Sequence, residues 1–130
     1  MQRMTSVRLM ALLLSFLVAA CASSGAMISN KWRLEISGGA ESDGAIVVQL
    51  LTVGAVVAEV PVRIPKGTGE NQVARRISDE LRLGLPANSY DVEVDDGEDV
   101  LIKRRSGVED FEVRISSNTV RGTRVNVERE

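Results

Sequence analysis

The chain has 130 residues, 44% of them hydrophobic, which is material for one domain with one ordinary core. It contains no histidine and a single cysteine, Cys21, which removes the commonest general base at neutral pH, Ser–His and Cys–His nucleophile pairs, the imidazole ligands most zinc sites use, and any disulfide within the chain. A formal net charge of −2 disfavours nucleic acid as partner, because that affinity comes chiefly from neutralising phosphates.

The first eight residues carry Arg3 and Arg8 and no acid. Leu9 to Ala20, LMALLLSFLVAA, follows as an almost wholly apolar run interrupted by Ser15. It is too short to cross a bilayer as a helix, which needs roughly 20 apolar residues. A basic start, a short apolar core and small residues at its end read as an export signal over residues 1–20. The competing reading is a buried N-terminal helix, but such a helix needs a polar face and this segment has none. The run closes on Val18-Ala19-Ala20-Cys21, which resembles the lipobox of bacterial lipoproteins. The resemblance covers residues 1–21. It implies that the Cys21 thiol receives a diacylglycerol, that the signal is cut just before it, and that the new amine is acylated. Several acyl chains make a stable anchor where one is marginal. Alanine at position 22, in place of the aspartate that often marks inner-membrane retention, implies the outer membrane. Two alternatives remain at this point: an incidental cysteine in a signal, and translation starting at Met27, which would remove the lipid site.

Loss of Arg3 and Arg8 with the signal leaves 14 basic residues against 18 acidic ones, a net charge of −4, which also disfavours adhesion to an anionic membrane by charge alone. Residues 21–30 then hold the lipidated cysteine and a small, flexible tether, and residues 31–130 form the domain. KWRLEIS (31–37) alternates Trp32, Leu34 and Ile36 with polar residues and predicts a half-buried strand. GGAESDG (38–44) breaks the chain, and AIVVQLL (45–51) is a continuous apolar run of strand type. Alternation resumes over Val56, Ala58, Val60, Val62 and Ile64; Pro61, without an N–H, puts this strand at an edge or marks a bulge.

Val73, Ile77 and Leu81, with Ala74 beside them, form one apolar stripe at helical spacing. Thr68 is the expected N-cap, Glu70 suits the first turn, and Gly84 with Pro86 beyond it is the expected stop. YDVEV (90–94) and VLIKR (100–104) read as a hairpin turned by Asp96-Gly97. FEVRI (111–115) is a strand, SSNTVRG a loop, and TRVNVE a closing strand with Val125 and Val127 on one face. The expected fold is α+β: a small, mainly antiparallel sheet of five to seven strands with one helix packed on one face.

The chemistry-bearing residues favour binding over catalysis, so the protein is expected not to be an enzyme and to hold no cofactor or metal. Lys31, Lys66 and Lys103 are each explained by polar strand or loop surroundings. Asp91, Glu93, Asp95, Asp96, Glu98 and Asp99 would suit calcium in type, but Gly97 falls one residue late for an EF-hand loop and no acid stands at the closing position; a solvated strand face ending in a turn accounts for them. Lys103-Arg104-Arg105 reads as a strand end facing the acidic turn. Gly67-Thr68-Gly69 lacks the P-loop pattern, and the start of a helix explains it. Trp32, Tyr90 and Phe111 alternate inward and read as core.

The runs at 60–81, 90–104, 111–115 and 123–128 together resemble the strand–helix–strand–strand modules of phage tail and baseplate proteins and of some flagellar hook-region proteins, over roughly residues 56–127. The resemblance lies in apolar spacing and turns and carries no functional residue across. The leading expectation is thus a lipid-anchored cell-envelope protein, held in the outer membrane through acylated Cys21 and facing the periplasm, acting as a non-catalytic interaction or structural module on a protein partner through an exposed sheet edge or face. The alternative is a phage- or prophage-encoded protein, either a superinfection-exclusion lipoprotein or a virion tail or baseplate component. A carboxylate-based enzyme or cation binder is the distant third.

Overall fold

A computed structural model describes residues 27–130. Its elements follow one another as β1 (Lys31–Ser37), β2 (Gly44–Thr52), β3 (Ala55–Ile64), α1 (Glu70–Gly84), β4 (Tyr90–Asp95), β5 (Asp99–Arg104), β6 (Glu112–Asn118) and β7 (Arg124–Arg129). Every strand pair is antiparallel, so the α+β class stands. The single sheet does not. The strands divide into a four-stranded sheet, β4-β5-β1-β7, and a three-stranded sheet, β3-β2-β6. Width gives the reason. Seven strands side by side span roughly 30 Å at ~4.8 Å each, and one helix about 10 Å across leaves most of such a face wet. Two sheets facing each other bury both apolar faces. Trp32, Leu34, Ile36, Val100 and Ile102 from one sheet and Ile46, Val48, Leu50, Val62 and Ile64 from the other share one buried cluster.

The helix is correspondingly not laid on one sheet face. Its buried side, Val73, Ala74, Ile77, Ser78 and Leu81, packs against β3 of one sheet and against β4, β5 and β1 of the other. It therefore fills the gap between the β3 and β4 edges. Both of its expected ends shift by one residue. Gly69, extended at φ −71° and ψ 160°, is the N-cap, because the Thr68 hydroxyl donates instead to the Pro65 carbonyl at 2.6 Å. Leu85 is the C-cap. Gly84 is helical, and its small size serves packing: a Cβ there would meet Val60 Cγ2 at 2.8 Å.

Two of the loops that carry the chain between sheets, residues 38–43 and 119–123, are pressed together. Gly38 has φ +79°, and a Cβ on it would overlap the Gly122 carbonyl oxygen, so only glycine fits. Asp96-Gly97 turns the β4–β5 hairpin with φ of 48° and 84°, the positive pair a type I′ turn needs. SSNTVRG is only partly loop. β6 continues to Asn118 by pairing Ser117 with Val47 and Asn118 with Ile46, with Ser116 bulged out between paired positions. Pro61 does lie in an edge strand, opposite Val47.

Candidate interaction surface

The strand registers stack charged residues on the outer face of the four-stranded sheet. Asp91, Lys103 and Lys31 form one row, Glu93, Leu101, Arg33 and Glu128 the next, and Asp95, Asp99, Glu35 and Asn126 the third. Arg33 is the hub. Its Nη1 donates to Asp99 Oδ2 at 2.6 Å and to Asp95 Oδ2 at 3.3 Å, and its Nε donates to Glu130 Oε1 at 2.6 Å. Lys31 Nζ adds a second cation 3.4 Å from Glu130. Hydrogen bonding to Glu130 and then Asp99 pushes the Arg33 guanidinium further up from its already high range, and Arg33 holds the Glu130 carboxyl below the usual carboxylate range. Among these charges Leu101 is 5% exposed and floors a cleft of about 540 Å³ with Lys31, Asp91, Glu93 and Lys103 on its walls.

The acidic cluster and the basic triplet are thus both visible, and only in part partnered as expected. Asp95 and Asp99 face Arg33, whereas Arg104 pairs with Asp110 and Arg105 with Asp91. The Arg33–Glu130 cluster is not legible in the sequence because its partners lie 62 to 99 residues apart, and only β1 lying between β5 and β7 brings them together. Among the described residues no three His, Cys, Asp or Glu side chains converge as a metal site. In the Gly67-Thr68-Gly69 loop the Gly67 and Thr68 N–H groups donate to the Ala40 and Pro65 carbonyls, so neither is turned toward a phosphate. Trp32, Tyr90 and Phe111 are all core: Trp32 Nε1 donates to the Phe111 carbonyl at 2.7 Å, and the Tyr90 and Phe111 rings meet edge to face at 5.1 Å. Burial, with Glu109 nearby, pushes the Tyr90 hydroxyl pKa up. Cys21 lies outside the described residues.

The sheet edges differ more than the faces. β3 and β4 are edge strands with α1 alongside both. Arg82, in the last turn of α1, donates from Nε and Nη2 to the Val92 carbonyl of β4 at 3.0 and 2.9 Å, satisfying an acceptor that an open edge would leave to water. Among the described residues β7 pairs only with β1, and β6 only with β2, apart from a single bridge between Ser29 and Phe111 just before it. Ile115, Val125 and Val127, behind these edges, are partly buried against the core. Arg124, Glu128 and Arg129 along β7 and the Ser116 bulge in β6 discourage indiscriminate edge pairing.

The described residues form a small α+β domain of two antiparallel sheets, with one pair of edges covered by α1 and no strand among them on the other pair. No family model, curated protein or solved structure matches the chain. Among the described residues no helix is long and apolar enough to cross a membrane.

Proposed function

We propose that the protein is a lipid-anchored component of the cell envelope, tethered by Cys21, whose domain binds a protein partner by accepting an extended strand along β7. The observation that carries the anchor is the sequence Val18-Ala19-Ala20-Cys21 closing a basic and then apolar start. Support for the binding mode comes from the edges. α1 occupies the gap beside β3 and β4, while β7 keeps a second side with no strand among the described residues, backed by half-buried Val125 and Val127. An added strand would gain backbone hydrogen bonds along that edge and cover these valines. The charges on β7 would select a partner of complementary sign.

Metabolic labelling with a palmitate analogue tests the anchor: the wild type should incorporate label and Cys21→Ser should not, and equal labelling sinks it. For the edge, a photoreactive amino acid replacing exposed Asn126 on β7 should capture a discrete partner in native envelopes. The same probe at Arg63 on β3 should not. Monomer alone from both positions counts against the β7 surface.

A further inference from the structure

Five large apolar side chains stand exposed among the described residues: Met27, Ile28, Val53, Val56 and Leu83, with Val53 at 74% and Leu83 at 82%. They gather at one end of the domain. Thr52 pairs with Ala55 at the β2–β3 turn, and the neighbouring Leu51 pairs with Glu112 at the start of β6. Phe111, one residue earlier, exchanges both backbone hydrogen bonds with Ser29, at 2.8 and 2.9 Å. The tip carrying Val53 and Val56 and the segment carrying Met27 and Ile28 are therefore neighbours. Leu83 belongs to the same end: α1 begins beside Gly38, whose N–H donates to Glu70 at the far end of β1, and its last turn leads through Leu85 to Tyr90, whose ring touches Phe111. The opposite end is built from the loops at 38–43, 65–69 and 119–123, with Glu41, Asp43, Lys66 and Arg121 outward.

We infer that this apolar end rests on the phospholipid surface, with the Val53–Val56 tip and Leu83 entering the headgroup region. The inference depends on Cys21 being the lipid anchor, as proposed above. Five residues lie between Cys21 and Met27, and the six steps from one Cα to the next reach at most about 22 Å. β3 alone, ten residues long, spans roughly 33 Å. With Cys21 in the bilayer, the polar end lies beyond the tether's reach and the apolar end within it. Arg104, Arg105 and Arg114 near that end are neutralised by Asp110, Asp91 and Glu112, so the contact rests on apolar side chains that are favourable at the interface.

The test uses the full chain, purified after export in a Gram-negative host and reconstituted into phosphatidylcholine–phosphatidylglycerol vesicles containing phosphatidylcholine brominated in its acyl chains. Wild-type Trp32, 3% exposed, sets the baseline fluorescence. Val53→Trp and Val56→Trp should be strongly quenched above that baseline, and Lys66→Trp at the opposite end should not. Intact mass separates the two levels. A chain without acyl groups overturns the anchor and this orientation with it. An acylated chain in which neither tip position is quenched, or in which Lys66→Trp is quenched equally, overturns the orientation alone. Crosslinked dimers through an unquenched tip would give this end to a second copy and likewise overturn it.

Discussion

Trp32→Phe tests the joint between the two sheets. The indole Nε1 donates to the Phe111 carbonyl at 2.7 Å, and the Ser29 N–H donates to the same oxygen at 2.8 Å. Removing the indole donor therefore leaves that oxygen with one partner, and the cost is one ordinary buried hydrogen bond, about 1 kcal/mol. Replacing the 3%-exposed indole by phenyl also forfeits one or two buried carbon equivalents at ~0.8 kcal/mol each, with a small cavity term. The sum is a loss of about 2–3 kcal/mol, which at a urea dependence of ~2 kcal/mol per molar lowers the midpoint by about 1–1.5 M. Far-UV circular dichroism in urea measures it on both forms without relying on tryptophan emission. A loss under ~1 kcal/mol would mean that the indole neither bonds nor packs as described. A loss above ~5 kcal/mol would mean that the Phe111 carbonyl is left orphaned and that Ser29 does not hold it.

Ser78 is fully buried in α1 with a hydroxyl that finds no partner among the described residues, so Ser78→Ala should raise stability by about 1 kcal/mol in the same assay; a destabilisation would reveal a hidden partner. Gly38→Ala should cost well over ~2 kcal/mol, from the clash with Gly122 added to positive φ, whereas Gly107→Ala, at φ +82° with open space around it, should cost only the ~1–2 kcal/mol of the left-handed conformation. Equal losses would refute the contact between the two loops. Because Arg33 lowers the Glu130 pKa in the folded state, the stabilisation from this carboxylate is present above the unfolded value of about 4.3 and is lost as pH falls through the lower folded value. The stability difference between wild type and Glu130→Gln should thus be level from neutral pH down to about pH 5 and shrink at lower pH; a difference that widens on acidification contradicts the pairing.

Local pattern made much of the fold legible. Period-two alternation located β1, β3, β4 and β7 to within a residue or two, because each has one face in the core and one in water. The Val73–Ile77–Leu81 stripe located α1 for the same reason. Asp96-Gly97 identified its turn because the φ values there suit few other residues. The Thr68 cap failed because one hydroxyl had two possible acceptor or donor roles, and the Pro65 carbonyl took it. The interaction surface was the least legible part: Pro61 pointed to an edge, yet whether an edge is open depends on what lies beside it.

From the sequence alone come the element order, the inward-facing residues, the want of imidazole chemistry and a lone cysteine at the end of an export-like segment, since each depends on residues that are neighbours in the chain. The division into two sheets, the helix bridging them, the Arg33–Glu130 pairing and the gathering of exposed apolar residues at one end were decided in three dimensions. They depend on strand pairings across up to about a hundred residues, and periodicity records which way a side chain faces, never which strand lies next to it.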